Sequence, residues 1–443
     1  MTKPTAERRL RFLQRHPRVA ELILLCVSLL LSLAVAETAL RIAQIGRMPA
    51  SHHQLFVEYH LVLGWQKKPN YSGIHVGPED VYRVRETMNS RGLRGPGYSY
   101  EKPQHEYRIV VLGDSFAEGY SVEFDVLFSE VLKRDLNRDH VRPVEVINAG
   151  TGGYSTDQSL LWYAIEGSKY SPDLVILLLC SNDILFNTIG TYWRGYKPLF
   201  RLNNGALELT NVPLPLPPSP DQQGSAATQD ESSTSIPFRI KRWAHRSSYL
   251  YRSVAGLVNK SENMTRFFVW AGISRPRSTS TEAPNTSLSD PDIEPPVPDH
   301  IRFLDWSNAT DQEQNAGWVM TAALLSELKL KTEAGSARLL VMIVPGNDEV
   351  TSGVLSICSE ASIDCIDPTA RFRDEERKLK AISKQLTYEP IDGHWNAEGH
   401  RLTAEPLRDH ISSNNYLYRE LLLPTDPAFG ASVLNDPIGS DKK

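Results

Sequence analysis

Three short runs rich in Val, Ile and Leu constrain this chain more than any other feature. They are residues 108–112 (RIVVL), 143–148 (PVEVIN) and 174–180 (LVILLLC). Each breaks off into small or polar residues: Gly113-Asp114-Ser115, then Ala149-Gly150-Thr151-Gly152-Gly153, then Ser181-Asn182-Asp183. A nearly continuous apolar run of this length suits a strand buried on both faces. Helical patterns lie between them. Residues 128–140 put Val131, Leu132 and Leu136 on one stripe, and residues 157–170 do the same with Leu160, Leu161, Tyr163 and Ala164. Strand–helix alternation at this spacing implies right-handed βαβ units and a parallel sheet. The pattern resumes with a helix over 315–335, a strand over 338–344 and a candidate fifth strand at 362–366. Asn396 is placed to cap a last helix running to Ser412, which Pro406 is expected to kink or divide. The expectation is an α/β fold around a central parallel sheet of about five strands.

The termini and the middle behave differently. Residues 1–18 hold six Lys/Arg against Glu7, whereas the whole chain of 443 residues carries a net charge of −5. That balance argues against a nucleic-acid partner, and the basic start suggests a membrane address. Residues 22–36 carry no charge; a span of 19–42 is long enough to cross a bilayer if Glu21, Glu37 and Arg41 reach the interfaces. The expectation is a signal anchor with residues 1–18 cytoplasmic and the body of the chain extracytoplasmic, periplasmic or outer. The rival is a cleaved signal peptide, for which Ala34-Val35-Ala36 offers a small-x-small site.

Residues 43–107 read as a turn-rich lead-in with a few short strands, in which His52-His53 is taken as exposed polar loop. Residues 108–412 form the main domain. Within it, 184–310 reads as one long insertion, partly disordered because 212–237 and 274–298 are rich in Pro, Ser and Thr. Its basic, aromatic part, 239–272, reads as helical and packed on its own domain. Residues 413–443 form a tail. Cys358 and Cys365 could close a small loop in an oxidising compartment or remain thiols. No Cys or His spacing suggests a metal site, and no cofactor is implied.

The strand ends carry the chemistry. In a parallel sheet, sites form at the carboxyl ends of strands, where Ser115, the 150–153 glycines and Asn182 fall. Asp392-Gly393-His394 follows near the C-terminus. A serine needs a base, histidine is the usual one, and a carboxylate orients it. Glycine-turn N–H groups and an asparagine amide can hold an oxyanion.

Four segments in this order resemble the SGNH hydrolase superfamily, the GDSL-like lipases and esterases. They are Val110-Val111-Leu112-Gly113-Asp114-Ser115, Asn148-Ala149-Gly150-Thr151-Gly152-Gly153-Tyr154, Ser181-Asn182-Asp183 and Asp392-Gly393-His394-Trp395-Asn396. The resemblance implies a three-layer α/β/α sandwich. It also implies Ser115 as nucleophile, His394 as base and Asp392 as its orienting acid. The oxyanion hole would comprise the Ser115 and Gly153 N–H groups and the Asn182 side chain. Two features depart from the pattern: Asp392 precedes His394 by two residues rather than three, and Ser181 stands where Gly is frequent. Glu389 is the fallback acid and His400 the other candidate base, read instead as packing within the last helix. Asp114 either tunes Ser115 or holds its turn.

An anchored domain of this kind resembles envelope enzymes that add or remove O-acetyl groups on polysaccharides. The expected activity is therefore that of a serine esterase or O-acyltransferase working through an acyl-enzyme. The expected partners are an ester-bearing small molecule or polysaccharide, and the membrane through the N-terminal helix. The alternatives are a lipase and a catalytically idle scaffold in a polysaccharide-export assembly. A metal-dependent phosphodiesterase would want more His and Asp at the strand ends.

Overall fold

A computed structural model of the chain describes residues 16–43, 52–139, 142–192, 195–216, 248–251, 253, 306, 309–414 and 416–418. They fall into two units. The first contains helix α1 (Pro17–Ile42) and the described residues between 248 and 253. The α1 helix has a mean hydropathy of 2.6 in its most apolar window and buries none of that window, so it is long and apolar enough to cross a membrane. Arg41 Nε lies 2.7 Å from Glu37 Oε1, so two of the helix's four charges pair. The Glu37 carboxylate also accepts from Ser248 Oγ and from the backbone N–H groups of Tyr249 and Leu250. These three bonds tie a described fragment of the 239–272 stretch to the end of α1. Residues 1–15, 217–247, 254–305 and 419–443 lie outside the described residues.

The second unit opens with a short helix α2 (His52–Phe56) and two antiparallel hairpins. These pair β1 (Val57–His60) with β2 (Gly64–Lys67), and β3 (Ser72–Val76) with β4 (Arg83–Thr87). The main sheet uses β5 (Tyr107–Leu112), β6 (Val144–Asn148), β7 (Leu174–Leu179), β12 (Arg338–Ile343) and β13 (Asp364–Ile366). All of its pairings are parallel, in the order β13-β12-β7-β5-β6. The five expected strands are therefore present, in a doubly wound sheet. The chain winds from β5 outward to β6, crosses back over β5 to β7, then continues to β12 and β13. The winding thus reverses beside β5, at the switch point where sites form in open α/β sheets.

Helices cover both faces. Alternate strand residues (Val110, Leu112, Val175, Leu177) face α5 (Thr156–Ile165), α7 (Asp311–Ala334) and α8 (Asp348–Glu360). The others (Ile109, Val111, Ile176, Leu178) face α4 (Phe128–Asp139), α9 (Thr369–Lys380) and α10 (Ala397–Ser413). This is a three-layer α/β/α sandwich. Between β7 and α7 come helix α6 (Asp183–Phe186), whose Ile184, Leu185 and Phe186 are buried in the core, and two small hairpins. The hairpins are β8–β9 (Thr191–Tyr192, Gly195–Tyr196) and β10–β11 (Phe200–Asn203, Ala206–Leu209). Lys197 is fully buried beside them, 2.8 Å from the buried Asp157 of α5.

Three details differ from the sequence reading. Pro406 does not divide α10: buried Leu402, Ala404, Leu407 and Ile411 hold that helix on the sheet, which outweighs the proline's cost of about 3 kcal/mol. The α7 helix begins at Asp311 rather than 315, because Thr310 and Glu313 form a reciprocal capping box. His52 is not in an exposed loop: it sits in α2 at 6% exposure, its ring stacked between Phe56 and Tyr120.

Candidate active site

The turn that carries Ser115 is built by the end of β5. Gly113 has φ +140°, and a Cβ there would meet the Leu178 carbonyl at 2.8 Å, so only glycine lets the chain turn this close to β7. Asp114 then caps the short helix α3 (Ser115–Glu118), its side chain accepting from Phe116 N at 2.9 Å. Burial pushes the Asp114 carboxyl up to about 6 against that bond. The contact gives Asp114 the turn-holding role, and Ser115 occupies the first position of the helix.

His394 lies on the hairpin of β14 (Thr387–Tyr388) and β15 (Asp392–Trp395). Its Nε2 is 2.8 Å from Ser115 Oγ, and its Nδ1 is 2.5 Å from Asp392 Oδ1. The two-residue spacing is a strand effect. Residues i and i+2 of a strand share a face, so Asp392 and His394 project together. The same Oδ1 accepts the His394 backbone N–H at 3.0 Å. Burial raises the Asp392 pKa, but the His394 contacts outweigh it and bring the group down to about 2. Tyr82, from the hairpin preceding the sheet, donates to Asp392 Oδ2 at 2.8 Å. The Tyr120 hydroxyl lies 3.0 Å from His394 Nδ1 and 3.1 Å from Nε2.

The glycine loop after β6 packs on α3: a Cβ on Gly150 would meet Glu118 N at 2.4 Å. Asn148 ties the loop down, accepting from Gly150 N and donating to the Ala117 carbonyl. Gly153 has φ +78°. Asn182 precedes α6 after β7, and its Oδ1 is buried with no hydrogen-bond partner among the described residues. Ser181 is not among the residues with positive φ, so its replacement of glycine strains nothing. Ser115, Gly153 and Asn182 thus stand at the ends of adjacent strands β5, β6 and β7. His400 is 1% exposed inside α10, stacked on Phe128, with burial pushing it down to about 3. Glu389 makes no contact to His394 comparable with that of Asp392.

Residues 111–265 match the model of the GDSL-like lipase/acylhydrolase family. Over those residues the chain is similar to the GDSL-like lipases and acylhydrolases. It is an enzyme of ester-bond hydrolysis. The match begins inside the first of the four segments and takes in the second and third, while Asp392 and His394 lie beyond it. A comparison with curated protein sequences found no match. Among solved structures, the chain is similar to TesA (9% identity, covering 69% of this chain and 98% of that one, TM-score 0.33). It is also similar to a lipase/acylhydrolase from Enterococcus faecalis (12%, 70% and 96%, 0.34). A third is Axe2, an acetylxylan esterase from Geobacillus stearothermophilus (11%, 69% and 94%, 0.33).

The candidate site also leans on residues that sequence reading missed. Trp65 and Lys67 of β2 donate to the carbonyls of Gly152 and Gly150, and Glu118 accepts from Gly152 N. Glu118 belongs to a buried group with His52 and Glu86, whose ligand-type atoms lie within 4.8 Å of one another. Its two carboxylates already face cations. Arg94 Nε is 4.0 Å from Glu86, and both carboxylates attract Lys67, although burial pulls the lysine's pKa down. A divalent ion added to this balanced set would bring buried charge without a counter-charge. The group therefore suits a structural charge network better than a metal centre. No motif marks these residues in the sequence. The one available signal was an unusual density of Trp, Lys, Tyr and His in a stretch otherwise rich in turns.

Proposed function

We propose that this chain is a membrane-anchored, extracytoplasmic serine esterase or O-acyltransferase that acts through an acyl-enzyme on O-acetyl groups of carbohydrates. The observation carrying the reading is the Asp392–His394–Ser115 relay, with a 2.8 Å contact between the base and the hydroxyl. Ser115 Oγ attacks the ester carbonyl carbon while its proton passes to His394 Nε2. Asp392 holds the ring by Nδ1 and stabilises the imidazolium that forms. The Ser115 and Gly153 N–H groups and the Asn182 amide receive the oxyanion. The C–O bond then breaks, and the leaving alkoxide takes the proton from His394. Water, or a sugar hydroxyl in transfer, attacks the acyl-enzyme, gives its proton to His394 and restores Ser115 as the acid or new ester departs. The catalytic domain would run from 108 to 412 around the 184–310 stretch. The apolar α1 and the basic residues before it support an anchor with its charged end in the cytoplasm.

The test compares p-nitrophenyl acetate with longer acyl esters, alongside labelling by a fluorophosphonate. Turnover confined to short chains, with labelling lost in Ser115→Ala, is the expected result. A preference for long chains would favour a lipase, and a folded wild type that neither labels nor turns over would favour a scaffold.

A further inference from the structure

The peptide unit joining Gly152 to Gly153 has two polar ends. Its N–H belongs to Gly153 and is the oxyanion donor of the reading above, on which this inference rests. Its C=O belongs to Gly152 and accepts a hydrogen bond from Nε1 of Trp65 at 3.0 Å. The cis peptide bonds of the described residues lie at Val212-Pro213 and Glu389-Pro390, so this unit is trans. In a planar trans peptide the N–H and C=O point in opposite directions. A donor that holds the carbonyl therefore fixes where the N–H points. It also polarises the amide and strengthens the N–H as a donor.

Gly153 needs such a hold. Its φ of +78° lies where glycine moves freely, so the residue itself does not define the angle. Trp65 is well suited to supply it. The ring is 2% exposed and rests against Tyr154 and Tyr192 at centroid distances of 5.9 and 6.2 Å, so the indole N–H has one fixed direction. The neighbouring peptides are held as well. Glu118 Oε2 takes the Gly152 N–H at 2.6 Å, and Lys67 Nζ donates to Gly150 O at 2.7 Å. Tyr154 returns a bond from its hydroxyl to the Trp65 carbonyl at 2.6 Å. That bond ties the same two segments together without touching the 152–153 peptide.

We propose that Trp65 is a positioning residue of the oxyanion hole: its indole N–H, bonded to the Gly152 carbonyl, aims and strengthens the Gly153 N–H from a hairpin outside the family's sequence blocks. The ester's carbonyl oxygen never meets Trp65; it meets the peptide that Trp65 holds.

The test uses the full chain in detergent, with p-nitrophenyl acetate as substrate and kcat expressed per active site titrated by fluorophosphonate, so that unfolded molecules do not count. Loss of a direct oxyanion donor costs roughly 10²–10³-fold, and an indirect one should cost less. Trp65→Phe is expected to lower kcat about 10-fold to 30-fold with KM changed less than about threefold. Affinity for a boronic acid, whose tetrahedral adduct puts an oxygen in the hole, should fall by the same factor. Tyr154→Phe should keep kcat within about threefold. Trp65→Met removes the same donor and replaces the Phe variant if that one does not fold. A kcat within threefold of wild type for the Trp65 variants, or an equal loss in Tyr154→Phe, overturns the proposal. Wild-type turnover surviving Ser115→Ala is a separate result: it ends the acyl-enzyme reading, and the inference with it.

Discussion

The Tyr82 hydroxyl donates to Oδ2 of Asp392 at 2.8 Å across 310 residues of chain, while Oδ1 of the same carboxylate serves His394. Both oxygens of Asp392 are therefore committed, one to His394 and one to a tyrosine from the hairpins that precede the sheet. Removing the tyrosine hydroxyl frees Oδ2 and lets the carboxylate rotate. Tyr82→Phe is expected to lower kcat/KM about 3-fold to 10-fold, read by initial rates on p-nitrophenyl acetate. The Asp392 pKa is depressed from 3.8 to about 2 in the folded state. Its stabilising contribution is thus complete above about 4 and is lost as pH falls toward 2. With one donor fewer the depression shrinks, so acid unfolding of Tyr82→Phe should begin at higher pH than in wild type, followed by circular dichroism.

Asp114 works in the opposite sense. Its carboxyl is raised to about 6 by burial, so the folded state holds a proton that the unfolded chain releases near 3.8. Between about 4 and 6 the folded state binds more protons, and this group's contribution to stability falls as pH rises. Asp114→Asn keeps an acceptor for Phe116 N without a charge. Urea midpoints at pH 4.5 and pH 7 should lie closer together in Asp114→Asn than in wild type. An unchanged gap between them would contradict the assignment.

Asp157 and Lys197 form an ion pair with both side chains fully buried. Lys197→Met strands a carboxylate in the core, a loss expected to cost about 3–5 kcal/mol in chemical denaturation. Adding Asp157→Asn removes the stranded charge and should restore part of that stability. A single variant as stable as wild type would show that the pair is not closed in solution.

Ser115→Ala should reduce turnover by at least about 10³-fold and abolish fluorophosphonate labelling, as loss of a nucleophile does elsewhere. Deleting residues 1–45 should move the protein from the membrane pellet to the soluble fraction while leaving the rate on p-nitrophenyl acetate within about threefold. A truncated protein that still sediments with membranes would remove α1 as the anchor.

The core of the fold was legible because burial on both faces writes itself into sequence. The runs at 108–112, 174–180 and 338–344 have no polar face to hide, and each became a central strand. Helices α8 and α9 were not read. The α8 helix buries only Val350, Thr351, Val354 and Cys358, and α9 only Thr369, Phe372 and Leu379, so both stripes are thin. The site was legible as far as residues next to strand ends reach. Ser115 and Asn182 follow directly from β5 and β7. The meeting of His394 with Ser115 rests on chain closure over the whole sheet, which no local pattern encodes. The bonds of Trp65, Lys67 and Tyr82 were invisible for the same reason. They point to backbone carbonyls and a distant carboxylate, and a carbonyl has no sequence identity to match. His52 was misread because a histidine among polar neighbours looks solvated until its buried partners Glu86 and Glu118 are placed around it.

The gap of 279 residues between Ser115 and His394 has a consequence for how the molecule comes into being. Synthesis makes Ser115 early and His394 late, after the last strand of the central sheet, which ends at Ile366. Until then the growing chain lacks the imidazole that the proposed acyl transfer needs. On the proposed reading, activity waits for the β14–β15 hairpin to bring His394 to Ser115.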